Sequence, residues 1–195
     1  MSMTINISLR KSVALSVLLV ALDVFARLTP HAPNFTPLAA SALFASFLFG
    51  GGILAAAVPL VALAISDAVI GAYDWHIMAV VYSALVLPVL FGRYVRGNFG
   101  ALRVVISALA ASVTFFIATN FAVWYYASLY TRDVKGLLGC YAAALPFFRN
   151  TLTGDLCWSS VLFTAYAVAR VAGSRPVFRS GHREPAYSLS VLGNQ

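Results

Sequence analysis

Apolar runs of near bilayer-crossing length follow one another through this chain, and they constrain its fold more than any other feature. They occupy residues 12–28, 38–49, 53–73, 75–91, 104–126 and 156–171. A helix that crosses the hydrocarbon core needs about 20 mostly apolar residues. Of the 195 residues 61% are hydrophobic and only 10% are charged, whereas a soluble domain carries about 25% charged residues. Such a chain cannot clothe itself in polar surface, so lipid is its expected solvent. The expected fold class is all-α: a polytopic membrane protein of about six transmembrane helices in one bundle. The bundle takes residues 1–173, and 174–195 reads as a basic, mobile tail.

The interruptions are as informative as the runs. Residues 27–37 read RLTPHAPNFTP, with prolines at 30, 33 and 37. Each proline fixes its own φ and pushes the residue before it toward extended backbone, which predicts a rigid bend. A polar bend between apolar segments belongs at a water boundary or a cavity wall. Gly50, Gly51 and Gly52 predict a tight hairpin turn. GRYVRGNFGALR at 92–103 reads as a loop bearing Arg93, Arg96 and Arg103. The run 137–148 is too short to cross and predicts a re-entrant or interfacial segment. RNTLTGD at 149–155 follows, with Asn150 or Thr153 starting the last helix. The entry at Arg10 and Lys11 is like that of a signal sequence. Asp23 and Arg27 break the run that follows it, so the first span reads as an uncleaved anchor.

The basic residues set the orientation. With the N-terminus in the cytoplasm and six crossings, the inner side receives Arg10, Lys11, Arg93, Arg96, Arg103, Arg170, Arg175, Arg179 and Arg183. The outer side keeps Arg27, Arg132, Lys135 and Arg149. That bias fits both termini being cytoplasmic. The formal charge of +7 is therefore a topological signal, and no nucleic-acid partner is expected; the first partner is the lipid bilayer.

In this orientation the polar chemistry gathers at one depth. Asp23, Arg27, His31, Asn34, Asp67, Asp74, His76, Asn120, Arg149, Asn150 and Asp155 fall in the outer half or beyond it. A through-channel would carry polar lining at both depths, so one-sided polarity points to an outward-facing pocket with a closed floor. The ligand-binding set is Arg27, His31, Asn34, Asp67, Asn120, Trp124, Arg149 and Asp155. A carboxylate within the bilayer costs about 3 kcal/mol or more. Asp23 and Asp67 are therefore expected to face the bundle, as ion-pair clamps or as ligand- or proton-binding groups. Asp23 and Arg27 lie four apart on one helix face and can pair. Arg149 and Asp155 bracket RNTLTGD, where a salt bridge with helix capping is the alternative to ligand contact.

Other residues read more plainly. Trp124, Tyr125, Tyr126 and Trp158 suit an interfacial belt, with stacking on a flat ligand as the alternative. His31 and His76 lack metal-ligand spacing and read as solvated loop residues. Cys140 and Cys157 lack CxxC spacing and read as buried, inert thiols, with a disulfide or a metal contact as alternatives. No cofactor or metal is expected. There is no G-x-S-x-G, H-E-x-x-H or Walker A motif, so enzyme function is not expected.

Four strings carry a resemblance: ARLTPHAPNFTPLAASALF, PLVALAISDAVIG, FFIATNFAVW and GLLGCYAAALPFFRNTLTGD. They resemble an uncharacterised family of small bacterial integral membrane proteins, which in turn looks like the substrate-binding S components of energy-coupling-factor (ECF) transporters. The resemblance implies a multi-pass protein of the bacterial cytoplasmic (inner) membrane, with six helices and a vitamin- or cofactor-like substrate held near the outer face. It also implies an ECF coupling subunit and ATPases as partners. S components often carry an Ala-x-x-x-Ala coupling surface on the first helix, where this chain has Ser12 and Ser16. The expected function is thus substrate binding for small-solute uptake, and the alternative is a non-transport membrane scaffold or assembly subunit. A scaffold would pack its polar cluster solid, whereas a binder would enclose a few hundred cubic ångströms.

Overall fold

The computed structural model describes residues 7–173, so the tail at 174–195, with Arg175, Arg179 and Arg183, lies outside the described residues. Within them all regular structure is helical: α1 (Leu9–Leu28), α2 (Leu38–Phe49), α3 (Ile53–Ile70), α4 (Trp75–Val86), α5 (Pro88–Gly97), α6 (Ala101–Tyr126) and α7 (Val134–Gly173). Pro88 stands at the first position of α5, where its missing N–H does no harm. The α4 and α5 segments therefore join at Leu87 into one rod, Trp75–Gly97. Three rods are long and apolar enough to cross a membrane: α3, α4 with α5, and α6. They point to a membrane protein.

The short α2 helix is the centre of the bundle. Its 12 residues rise about 18 Å, short of a hydrocarbon core of about 30 Å. Every residue from Leu38 to Leu48 is buried, and α2 packs on all six other helices. A helix that is apolar all round has no solvent or lipid face to prefer, so it is enclosed. Small side chains let its neighbours close in. Ser46 Oγ donates to the Val89 carbonyl across the α2–α5 contact, and a Cβ at Gly92 would come within 2.5 Å of Ser46 Cβ.

At its C-terminus α2 turns through Gly50, Gly51 and Gly52, all left-handed with φ of 80°, 84° and 88°. The last α2 carbonyls are met by arginines rather than water. Arg96 Nη1 donates to Phe47 O at 2.8 Å and to Leu48 O at 2.5 Å, and Arg93 Nε donates to Gly50 O at 3.2 Å. Cations at a helix C-terminus also oppose its dipole. This corrects the expected loop at 92–103: α5 runs on to Gly97 because both arginines have carbonyl partners, and only Asn98 to Gly100 make the turn.

The two ends of the bundle differ. Around the Gly50 turn an aromatic cluster of Phe44, Phe47, Phe99, Phe163 and Tyr166 fills the interior. Phe47 and Tyr166 meet edge-on at 4.9 Å between ring centroids, and Phe44 and Phe163 at 5.1 Å. The opposite end carries the loops at 29–37, 71–74 and 127–133 and all the ion-paired or hydroxyl-bonded carboxylates of the interior.

The expected break between 137–148 and the last span does not exist. Val134–Gly173 is one helix of 40 residues, about 60 Å long. Its polar stretch stays helical because the hydroxyls bond back one turn: Thr151 Oγ1 to Phe147 O at 3.0 Å and Thr153 Oγ1 to Arg149 O at 2.9 Å. Asn150 and Thr153 are therefore interior residues, and Asp133 caps the helix instead. Its carboxylate accepts from the Gly136 amide at 2.7 Å and the Thr131 hydroxyl at 2.8 Å. Those donors, the Gly136 amide first, hold the Asp133 carboxyl below its usual range. Cys157 is exposed rather than buried, and Cys140 is buried; both are free thiols.

Candidate functional site

The polar bend is built by short-range bonds. Thr29 caps α1, its hydroxyl donating to Phe25 O at 3.0 Å, and His31 Nδ1 lies 2.6 Å from Thr29 O. Phe35 N–H returns to Ala32 O at 3.0 Å. Asn34 takes a left-handed φ of 64°, a conformation asparagine tolerates better than most residues. Phe35 then rests on α7 at Gly154, where a Cβ would lie 3.2 Å from Phe35 Cα. The bend is thus pressed onto the bundle as a wall.

Behind that wall is a cavity of about 310 Å³. Arg27, His31, Asn34 and Thr36 line one side, Tyr73 and Leu85 another, and Phe115, Thr151 and Asp155 the side made by α6 and α7. A second space of about 210 Å³ adjoins it, lined by Phe116, Asn120, Phe147 and Phe148. Asn34, Val81, Phe115 and Thr151 line both spaces, so the two share a wall and are treated as parts of one hollow: the polar part holds Arg27, His31 and Asp155 among apolar side chains, and the aromatic part holds Phe116, Phe147 and Phe148.

Each buried carboxylate has its own partner. Arg27 Nη2 reaches across to Asp67 Oδ1 at 2.5 Å, rather than back to Asp23. Asp67, 5% exposed, also accepts from the Tyr82 hydroxyl at 3.1 Å and sits behind the guanidinium instead of lining the cavity. Asp23 is sealed between α1 and α2 and accepts from Ser41 Oγ at 2.8 Å. Asp155, 4% exposed, accepts from Ser112 Oγ at 2.6 Å and lines the cavity. Arg27 Nε and Asp23 Oδ2 are buried without a hydrogen-bond partner. No Arg149–Asp155 bridge forms: Arg149 is exposed and lines neither space.

Of the eight expected site residues, Arg27, His31, Asn34 and Asp155 come together in the polar part, and Asn120 in the aromatic part. Asn120 Nδ2 is engaged by Phe116 O at 2.8 Å. Asp67 acts through Arg27. Trp124 lies elsewhere, its indole N–H donating to Thr131 O at 2.9 Å to hold the turn before α7. His76 is not a free loop histidine: it stacks between Trp75 and Tyr126, at 3.7 and 4.5 Å. Asp74 beside it caps α4, and the amides of Ile77 and His76 hold its carboxyl below the usual range. Among the described residues no three metal-ligating side chains gather.

Sequence reading missed Thr36, Tyr73, Phe115 and Thr151 as lining residues. The signal for Thr151 was present: Phe148, Thr151 and Asp155 are spaced three and four apart, one face of a helix. It is visible only once 134–173 is taken as continuous.

Ser12 and Ser16 of α1 turn inward, Ser16 Oγ donating to Ser12 O at 3.0 Å. They are packed within the bundle and present no outer surface. Among curated proteins and among solved structures, nothing matches the chain. The family of unknown function DUF6580 matches residues 7–177, the whole of the helical bundle, and the chain belongs to that family.

Proposed function

We propose that this chain is the substrate-binding membrane component of an uptake transporter for a small, vitamin- or cofactor-like solute. Its role would be similar to that of the S components of ECF transporters. In this reading the protein is a multi-pass component of the bacterial cytoplasmic membrane, with both termini cytoplasmic and its loop-bearing end outward. One observation carries the proposal. The polar groups at that end surround a hollow of about 310 Å³ instead of packing solid, as a scaffold would have them. Its size falls at the lower end of small-molecule sites, about 300–1,000 Å³. The aromatic cluster around Phe47 seals the opposite end, so a solute that enters waits until a partner or a reorientation releases it. The energy would come from a separate coupling subunit and ATPases.

The test is native mass spectrometry of the chain purified in nanodiscs from cells grown in rich medium. A co-purifying small molecule, absent from Asp155→Ala protein that retains its fold, is the expected result. Wild-type protein that carries nothing and binds nothing from a fractionated cell extract would overturn the proposal.

A further inference from the structure

We infer that the hollow takes an organic monocation with an aromatic body, its charged head at Asp155 and its body directed toward Phe147 and Phe148. The inference rests on the hollow being a ligand site, as proposed above, and names the class of solute.

Charge is the first argument. Among the described residues Arg27 is the only Lys or Arg side chain lining the polar part, and its charge is already met by Asp67 at 2.5 Å. Among the described residues Asp155 has a neutral hydroxyl, Ser112 Oγ, as its partner and no cation. Asp23, sealed between α1 and α2, takes no part in the lining. His31, at the exposed mouth, is the remaining titratable base on the lining. Among the described residues, two carboxyl groups, Asp67 and Asp155, thus stand against one guanidinium around the hollow. A buried carboxyl without a counter-charge is costly to ionise, and a cationic head would favour its charged form. A zwitterion would leave the balance unchanged, and an anion would worsen it.

Shape is the second argument. Ala144, Phe148, Thr151 and Asp155 form one stripe along α7, and Thr151 belongs to both parts of the hollow. Along the stripe Phe148 stands seven residues from Asp155, about 10 Å of helix rise, so its aromatic and acidic members are set apart. Phe115 lines both parts, and an aromatic side chain on the lining suits a cation. An amphiphile with head and body apart fits this layout.

Three probes with one phenethyl body separate the possibilities: phenethylammonium, phenethyl alcohol and hydrocinnamate. Their binding is measured by calorimetry on the full chain in nanodiscs, with empty nanodiscs subtracted. The cation is expected to bind at least about tenfold more tightly than the other two, the scale of a hydrogen bond to a charged group. In Asp155→Asn, which keeps the shape and an acceptor for Ser112, that preference should fall to within about threefold while the alcohol binds as before. If the alcohol or the anion binds as tightly as the cation, or if the preference survives in Asp155→Asn, the charge assignment is wrong although the hollow still binds. If none of the three binds to folded protein, and none displaces a co-purified solute, the assigned class of solute is wrong, while the binding role stands or falls on whether the wild-type protein carries or binds any small molecule.

Discussion

Arg27→Ala should destabilise the protein by about 3–5 kcal/mol, the cost of leaving a buried charge unpaired. The Arg27–Asp67 pair joins the end of α1 to the end of α3 at 2.5 Å, and Asp67 is 5% exposed. Without the guanidinium, Asp67 retains only the Tyr82 hydroxyl at 3.1 Å among its hydrogen-bond partners. The same logic sets the control. Replacing both partners by apolar residues, Arg27→Met with Asp67→Leu, removes the uncompensated charge and should recover most of the loss. Unfolding midpoints in detergent measure all three variants. A loss below about 1 kcal/mol in Arg27→Ala would mean that the pair is not held in a low-dielectric setting.

Gly92→Val is expected to cost about 3 kcal/mol, the upper part of the usual range for overpacking. The position is buried in α5, and its nearest neighbours are Ser46 and the Leu43 carbonyl on the most enclosed helix of the protein. A Cβ there would stand 2.5 Å from Ser46 Cβ, so the helices must separate. Separation also breaks the bond from Ser46 to Val89 O. The comparison is Gly97→Ala at the end of the same helix, where the nearest atom to a Cβ is Arg103 Nη1 at 3.9 Å. That variant should be neutral or slightly stabilising, because alanine favours helix by up to about 1 kcal/mol over glycine. Equal effects at the two positions would contradict the close α2–α5 approach.

Much of this arrangement was legible in the residues. The prolines at 30, 33 and 37 announced the bend, the three glycines announced the left-handed turn, and the long apolar runs announced α3, α4 with α5, and α6. The gathering of Arg27, His31, Asn34 and Asp155 at one end was expected from the orientation that puts the polar residues at one depth. What the sequence hid was of two kinds. RNTLTGD looked like a loop because its polarity was read against lipid. A helix, however, needs polar tolerance only where a side chain points, and threonine hydroxyls can satisfy themselves on the preceding turn. Partner choice was the other. Asp23 and Arg27 share a helix face, yet each bonds a different helix, Asp23 to Ser41 and Arg27 to Asp67. Local spacing names the neighbours available within one helix and says nothing of those that packing brings from another.

The proposed site is a hollow lined by polar groups, open at one end of the bundle and closed at the other. Single cysteines at Thr36, Thr151 and Phe47, in a background with Cys140 and Cys157 replaced by serine, test it in sealed membranes with an impermeant thiol reagent applied to either side. Positions 36 and 151 should both react from the same side, and 151 should slow when the hollow is filled by a bound cation. Position 47 should react from neither. Labelling of 36 and 151 from opposite sides, or ready labelling of 47, would contradict the account.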